Sequence, residues 1–225
     1  MKIKNINKIA SALISVCITL LAPLAHSVCY QDPLIIDLGQ DGLHLGPAGR
    51  TVHFDIAATG NPIEIQWVAP NGNEAFLAID RNGNGVVDDG SELFTNYGYL
   101  ILEDRIADNG FVELAQYDNL NLGGNDDAYI NPDDEIWSQL SLWLDKNADG
   151  ISTPDEMLTL EDVGFTRLGA IAKQNPRRRD NAGNLIPLWS WVFNDNKQGR
   201  KRYKMYDVFF KEATQIQQEA LFSGH

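Results

Sequence analysis

A twelve-residue segment rich in oxygen-bearing side chains, DKNADGISTPDE at residues 145–156, constrains this chain more than any other stretch. Ca²⁺ takes six to eight oxygen ligands, and an EF-hand loop supplies them at fixed positions of a tight turn. The expected ligands are Asp145, Asn147, Asp149, the carbonyl of Ile151 and the carboxylate of Glu156. Gly150 stands at position 6, where the turn is sharpest. The alternative is a polar turn without metal, although such a turn needs no acid at position 12.

A second calcium loop is predicted at residues 80–92, DRNGNGVVDDGSE. Its expected ligands are Asp80, Asn82, Asn84, the carbonyl of Val86, and Asp88 directly or through water. The closing acid departs from the EF-hand pattern, because Ser91 occupies position 12 and Glu92 follows it. Asp88, Asp89 or Glu92 would therefore complete this site.

Further acidic turns are weaker candidates for metal binding. DLGQDG at 37–42 offers Asp37 and Asp41, but Gly39 stands where a ligand is expected. Asp55 is the one useful acid of residues 53–62, which we interpret as a lapsed site. The segment 117–135 is rich in potential ligands, but extra residues disturb the spacing. Its candidates are Asp118, Asn125, Asp127 and Asp134. For all of these turns, a solvated polar loop is an equal alternative.

The first 27 residues are typical of a secretory signal peptide, with three lysines, an apolar run and small residues before Val28. We therefore expect a secreted protein, periplasmic or extracellular, with no transmembrane segment in the mature chain. Cys29 would be its only cysteine, which excludes an internal disulfide. A lipid anchor on Cys29 and a disulfide-linked dimer both stay open.

The mature chain would be strongly acidic, with 15 Lys and Arg against 31 Asp and Glu and a net charge of −16. This charge argues against nucleic acid as a partner and fits a protein that binds cations. Residues 173–204 differ, because they hold nine basic and two acidic residues. That region either binds an anionic surface or protein partner, or it holds solvated charges that lean on the acidic remainder of the chain.

The apolar patterning predicts an α+β fold, with one domain at 28–210 and a tail at 211–225. Residues 32–79 are expected to be rich in short β-strands, because apolar runs alternate there with Gly, Pro and Asn. Residues 164–210 predict a C-terminal β-meander.

The central part, residues 80–163, is expected to hold the calcium loops and the helices. Helices are predicted at 110–117, at 132–144 and at 154–163. The second and third of these, with the loop at 145–156 between them, would form an EF-hand-like helix–loop–helix unit.

Four segments resemble the calcium-binding self-processing module of iron-regulated repeats-in-toxin proteins, and also related stand-alone secreted bacterial proteins. They are DPLIIDL (32–38), IQWVAPNGNEAFLAIDRNGNGVVDDGSELF (65–94), NGFVELAQYD (109–118) and LWLDKNADGISTPDEM (142–157). This resemblance implies Ca²⁺-dependent cleavage of an Asp-Pro bond and joining of the new Asp end to a lysine amine. The bond at the matching position is Asp32–Pro33.

The main interpretation is a secreted calcium-binding protein whose fold the ion organises, with a binding role at the cell envelope or outside the cell. The alternative is Ca²⁺-dependent autoproteolysis with Asp32 and Pro33 as the reacting residues. There the Asp32 β-carboxylate would attack its own carbonyl carbon to give a cyclic anhydride, which water or a lysine amine would open. Asp32–Pro33 alternatively forms only a rigid start to the first strand. A conventional hydrolase is not favoured, since the sequence has neither an HExxH motif nor a nucleophile elbow.

Overall fold

The structure is a computed structural model that describes residues 32–47, 50–180, 182–195 and 201–213. The predicted signal peptide and Cys29 lie outside these residues, as does the predicted tail beyond residue 213. None of the described helices has the length and apolar character needed to span a bilayer.

Thirteen β-strands account for most of the regular structure in the described residues. The strands are β1 (Leu34–Asp37), β2 (Thr51–Phe54), β3 (Ile63–Gln66), β4 (Glu74–Ile79), β5 (Tyr99–Leu100), β6 (Arg105–Ile106), β7 (Tyr129–Ile130), β8 (Leu140–Trp143), β9 (Met157–Thr159), β10 (Arg167–Gly169), β11 (Lys173–Gln174), β12 (Leu185–Asn194) and β13 (Lys201–Phe209). Short 3₁₀ turns occur at Gly90–Glu92, Gln116–Asp118, Leu120–Leu122, Glu135–Gln139 and Pro154–Glu156. One α-helix, α1 (Gly110–Ala115), is present in this part of the chain.

Nine strands form one antiparallel sheet in the order β7-β10-β12-β13-β1-β4-β8-β9, with β11 paired to β12. The pairs β2–β3 and β5–β6 form separate small sheets. β1 lies between β13 and β4, with Leu34 opposite Asp207 and Ile36 opposite Ala75. The first described strand is therefore central in the sheet and directly beside the last one.

Both faces of the central strands are covered by hydrophobic clusters. Leu34, Leu77 and Leu142 contribute to the first cluster. Their sequence neighbours Ile35, Phe76 and Trp143 contribute to the second. Because successive side chains of a strand point to opposite faces, double coverage explains why β1 and β4 are continuous apolar runs rather than alternating ones.

The predicted α+β class is wrong, because the described chain is mostly β and lacks EF-hand helices. The loop at 145–156 joins β8 to β9, which pair with each other as an antiparallel hairpin. The loop at 80–92 begins after β4 and ends in a 3₁₀ turn. Calcium-loop sequences are thus held here by strands and short turns instead of by helix pairs.

The error at residues 132–144 has an identifiable cause. Apolar residues at 136, 137, 140, 143 and 144 fit a helical stripe, but Leu142, outside that stripe, is also fully buried. In the structure a 3₁₀ turn ends at Gln139 and β8 follows, pairing with β4. Leu142 enters the first cluster while Trp143 crosses to the second, so tertiary pairing decided the conformation of this segment.

Candidate functional site

Four loops begin with the same turn, an Asp at or within two residues of a strand end and a Gly five residues later. The pairs are Asp37 with Gly42, Asp55 with Gly60, Asp80 with Gly85, and Asp145 with Gly150. In each, the Gly N–H donates to the Asp carboxylate, at 2.9, 2.5, 2.8 and 2.9 Å respectively. All four glycines have φ between 74° and 107°, a region that other residues rarely adopt. This is the turn expected between positions 1 and 6 of a calcium loop.

In the loop at 80–92, several predicted ligands converge. Asp80 accepts the amides of Gly83, Asn84 and Gly85. The side-chain amides of Asn82 and Asn84 both donate to Oδ2 of Asp88, at 2.7 and 2.6 Å. The predicted side chains at positions 3, 5 and 9 therefore meet at one carboxylate oxygen.

The acid that closes this loop is Glu92. Its side chain is buried and accepts the backbone amides of Arg81 at 3.0 Å and Asp88 at 2.9 Å. Asp89 instead caps the following 3₁₀ turn through the amide of Ser91. Of the two acids at the end of the loop, Glu92 faces the loop interior.

The loop at 145–156 rests on an aromatic cluster. Asp145 accepts the indole N–H of Trp67 at 2.7 Å, and Glu156 accepts that of Trp143 at 3.4 Å. The two tryptophan rings pack with centroids 5.6 Å apart. Asp145 and Glu156 are both buried, and their positions are set by the core beneath the loop.

The remaining predicted ligands of this loop lie further out. Asn147 and Asp149 are hydrogen-bonded to each other at 2.9 Å, and the side chain of Ile151 is exposed. Asp149 also accepts the amide of Ile151 at 2.9 Å. The side chains at positions 3 and 5 thus follow the turn without reaching Glu156 in any described hydrogen bond.

The segment 118–134 brings together the candidate ligands that the sequence offered there despite its irregular spacing. Asp118 accepts the amides of Asp127 and Ala128, and Asp134 accepts those of Asn125 and Asn131. Burial raises the pKa of Asp134, and the negative charges of Asp118 and Asp127 raise it further.

The two candidate ligands of the loop at 37–42 differ in exposure. Asp37 is buried, whereas Asp41 is largely exposed beside His44.

The donor atoms in these loops suit a hard cation, because they are carboxylate and amide oxygens. Within the described residues, however, no three His, Cys, Asp or Glu side chains gather into a metal-holding group. The carboxylates instead accept backbone amides. The 80–92 loop fits calcium best, since Asn82, Asn84 and Asp88 lie within hydrogen-bonding reach of one another and Glu92 faces inward. Here the two asparagines present N–H groups to Asp88, and they would have to turn their amide oxygens inward to bind the ion.

Asp32, the predicted reacting residue, lies in the interior of the molecule. Its side chain is fully buried, and Oδ1 accepts the backbone amide of Asn96 at 2.6 Å. The neighbouring backbone is also fixed, because Pro33 O accepts the amide of Val208 at 3.2 Å and Leu34 N donates to Phe94 at 3.1 Å. The Asp32–Pro33 peptide is thus held between β13 and the segment 94–96.

A second buried carboxyl, that of Asp207 on β13, faces Asp32. Three oxygens of this pair, Oδ2 of Asp32 and both of Asp207, are buried without a hydrogen-bond donor. Burial raises the pKa of Asp32 well above its usual value, and the adjacent Asp207 raises it further. Burial also raises the pKa of Asp207, and the hydrogen bond from Asp32 opposes that shift, so the shared proton rests on Asp32. Two carboxylates can hydrogen-bond to each other only when one holds a proton, so the pair shares at least one.

The loop at 80–92 is connected to Asp32 through α1. Arg81 donates to Oε1 of Glu113 at 3.1 Å, and Oε2 of Glu113 accepts the amide of Thr95 at 2.9 Å. The next amide, that of Asn96, is the one that holds Asp32. Burial raises the pKa of Glu113 to about 7, although the nearby Arg81 opposes this shift.

Asp207 was not singled out by the sequence. Its partner Asp32 lies at the other end of the described chain, and only the β1–β13 pairing brings them together. The available signal was a single acid inside the run YKMYDVFF, because a charged residue in the middle of a buried strand calls for a specific reason.

A cationic and aromatic face covers β12 and its neighbours. Trp189, Trp191 and Phe193 are half-buried at alternate positions of β12. Lys204 lies 5.6 and 5.9 Å from the ring centroids of Trp189 and Trp191, and Arg167 lies 4.4 Å from that of Phe193. Cations thus stack on the rings of this face.

Comparison with known proteins identifies the class of this chain. The model of the SPM domain family matches residues 34–211, and the chain belongs to that family. The match begins directly after Asp32–Pro33. The chain is also 33% identical over 168 residues to the iron-regulated protein FrpA of Neisseria meningitidis serogroup C. The similar region covers 73% of this chain but 14% of FrpA.

Proposed function

We propose that this chain cleaves its own Asp32–Pro33 peptide bond and that calcium in its loops organises the cleavage. The observation that carries the proposal is the placement of Asp32. Its carboxyl is fully buried and held by the Asn96 amide, while hydrogen bonds of Pro33 and Leu34 fix the backbone that follows. A reacting group held in one geometry next to its target removes much of the entropic barrier to reaction.

The bond changes are simple. One oxygen of the Asp32 β-carboxylate bonds to the Asp32 carbonyl carbon, the C–N bond to Pro33 breaks, and the proline nitrogen leaves with a proton. The Asp32 end is then a five-membered cyclic anhydride. Water opens it to give free Asp32, or a lysine amine opens it to give an amide bond between the two side chains.

Calcium, when bound, would supply charge neutralisation and rigidity to the loops that frame this site. Asp37 ends β1, the strand that Asp32 and Pro33 lead into, and Glu92 closes the loop that precedes residues 94–96. The loops therefore flank the reacting bond on both sides. The predicted signal peptide would place the protein where calcium is abundant enough for sites with dissociation constants of about 10⁻⁴ to 10⁻³ M.

The test uses the chain from residue 28 onward with an N-terminal affinity tag, incubated with calcium or with a chelator. We expect release of the tag and a new N-terminus at Pro33 in calcium only. Asp32→Asn should remain intact because an amide is a poor nucleophile, whereas Asp108→Asn, at an exposed position, should cleave as the parent does. A calcium-loaded parent chain with no free N-terminus at Pro33 would contradict the proposal, because both water and a lysine amine release that N-terminus.

A second candidate function, binding of an anionic polysaccharide, is favoured by the cationic and aromatic face. Residues 173–204 hold a net charge of +7 in a chain that is otherwise acidic, so a polyanion would be attracted to this face and repelled elsewhere. Ring faces and cations on neighbouring strands offer stacking and charge together. This function is compatible with cleavage and independent of it.

Retention on dextran sulfate, compared with neutral dextran, tests this second function. We expect retention on the sulfated polymer only, weakening as salt rises because the contacts are electrostatic. Replacing Lys173 and Lys204 by Gln should weaken it more than replacing Lys146, which lies in the 145–156 loop. Equal behaviour on the two polymers would argue against it.

A further inference from the structure

The buried partner of Asp32 has a defined orientation. Tyr206 and Val208, the neighbours of Asp207 on β13, both point into the second hydrophobic cluster. Because side chains alternate along a strand, Asp207 points to the opposite face. Leu34, directly across from Asp207 in register, lies in the first cluster, and Asp32, two residues earlier, is on the same face. The β1–β13 register therefore places Asp207 beside the start of β1, where its carboxyl interacts with that of Asp32.

The local structure opposite Asp207 is irregular. β12 pairs Leu188 with Asp207 and Leu185 with Phe209, so the register shifts between these two positions. Pro187, within the shifted segment, has no amide N–H to donate. Bulges of this kind frequently re-aim side chains next to reactive sites.

A buried acid pair with three oxygens that receive no hydrogen bond is costly to keep. Leu34 and Leu188 flank Asp207 on the two neighbouring strands, and residues 94–96 bring a backbone amide to Asp32. Two more titratable groups meet residues 94–96 in the described chain. Glu113 is engaged with Arg81 and the Thr95 amide, and Tyr117 packs edge-on against the ring of Phe94. Replacing such a pair with uncharged groups would often stabilise a fold, so its presence calls for a role.

We infer that Asp207 is the proton donor to the proline nitrogen when the Asp32–Pro33 bond breaks, an inference that rests on the proposed self-cleavage. The pair reacts in its singly protonated form, after the shared proton has moved from Asp32 to Asp207, so that Asp32 is the carboxylate and Asp207 the carboxylic acid. As the C–N bond breaks, the Asp207 proton moves to the nitrogen of Pro33 and Asp207 becomes a carboxylate. Asp207 then takes a proton from the water that attacks the anhydride, which returns it to its starting form.

This division of roles follows from what each group can do. Attack requires an ionised oxygen on Asp32, and departure of an amine requires a proton on nitrogen. The pair in this form holds one proton and one negative charge on adjacent buried groups, which supplies both requirements. With both carboxyls protonated the nucleophile is lost, and with both ionised the donor is lost.

The experiment is the rate of cleavage against pH, at saturating calcium, for the parent chain and for Asp207→Asn. The parent should give a bell-shaped profile. Asp207→Asn keeps the shape of the side chain but has no proton to transfer, so we expect a rate at least about 100-fold lower. The cleavage rate of Asp207→Asn should rise with pH and then stay level. In the parent the rate falls at high pH because Asp207 loses its proton, and this variant has no such proton to lose.

Glu74→Gln is the matched control. Glu74 is also a buried carboxyl, its pKa is also raised by burial, and its Oε2 also lacks a hydrogen-bond donor. It lies on β4, away from Asp32, and its replacement should leave the rate and the profile unchanged. Circular dichroism and the calcium-dependent thermal midpoint would establish that both variants fold.

Cleavage by Asp207→Asn at the parent rate, with the parent profile, would overturn the assignment and leave self-cleavage intact. If Asp207→Asn does not fold, the pH dependence of the parent's cleavage rate tests the assignment instead. A rate that falls at high pH supports a proton donor in the site, and a rate that stays level at high pH rejects one. No cleavage in the parent chain at any pH would instead reject the proposed function itself.

Discussion

Single residues set the shape of the calcium loops before any metal binds. Gly85 and Gly150 occupy the same loop position, with φ of +83° and +74°. Their surroundings differ, because a Cβ on Gly150 would lie 2.9 Å from a Val52 methyl group, while a Cβ on Gly85 would meet nothing within 4 Å. The same turn is thus exposed in one loop and packed against the core in the other.

We expect Gly150→Ala to destabilise the protein more than Gly85→Ala. Both variants carry the cost of a left-handed backbone, about 1 kcal/mol, and Gly150→Ala adds steric contact with Val52, for a further cost of about 1–3 kcal/mol. Urea unfolding in the presence of a chelator would measure both without the contribution of metal. Equal losses in the two variants would show that the 145–156 loop does not pack on Val52.

Residue spacing was a good guide to these turns and a poor guide to the acid pair. The interval between an Asp and the Gly five positions later is local, and the turn it encodes is present even at Asp37 and Asp55, where other ligands are missing. The Asp32–Asp207 contact depends on strand order, which no local pattern specifies.

Elements join the loops to the interior, and α1 is the clearest case. Its Glu113 is almost fully buried and binds Arg81 from the 80–92 loop and Thr95 beside the Asp32 site. Gly98 packs directly on this carboxyl, where a Cβ would lie within about 2 Å of it. One short helix therefore connects the loop to the segment that holds Asp32.

The stability of the fold should depend on pH through Glu113. Its folded pKa is about 7, above its usual value of 4.5, so the folded state binds this proton more tightly. The resulting stabilisation is complete below about pH 4.5 and is lost as pH rises through about 7. In Glu113→Gln this contribution is absent.

Between pH 5 and pH 8 the free energy of unfolding of Glu113→Gln should therefore increase relative to the parent. The expected relative change is at most about 3 kcal/mol. Denaturant unfolding at several pH values, at fixed calcium, would measure it. If the free energies of unfolding of the parent and of Glu113→Gln changed in parallel with pH, Glu113 would have the same pKa in the folded and the unfolded protein.

Prediction at the element scale succeeded for the strands and for the helix at 110–117, which is α1, and failed for the helices at 132–144 and 154–163. β1 to β4 coincide with predicted apolar runs, because buried residues at adjacent positions are typical of strands covered on both faces. The stripe at 132–144 satisfied helical spacing by coincidence. The segment 140–143 forms β8 instead, because pairing with β4 and burial of Leu142 stabilise the strand more than the helical spacing stabilises a helix.

Across the whole molecule the charge is unevenly distributed, so a bound cation would be a source of stability. The four Asp-to-Gly turns and the acidic cluster at 118–134 gather carboxylates in loops, where their mutual repulsion opposes folding. A cation that binds only the folded state stabilises it in proportion to its saturation.

Calcium should accordingly raise the thermal midpoint of the parent chain. At a concentration one hundred times the dissociation constant, each site contributes about 2.7 kcal/mol. Asp145→Ala combined with Glu156→Gln should reduce the increase, and Asp80→Ala should reduce it independently, since the two loops lie apart in the fold. An unchanged midpoint in calcium and in chelator would count against metal in either loop.

The most direct test of the central claim is the intact mass of the tagged chain under denaturing conditions, after incubation with calcium or with chelator, alongside metal content of the native sample. We predict that calcium removes the mass of everything before Pro33, or joins that fragment to a lysine as a heavier adduct, and that chelator and Asp32→Asn prevent both. An unchanged mass together with no free N-terminus at Pro33, in a sample shown to contain bound calcium, would contradict self-cleavage at Asp32–Pro33.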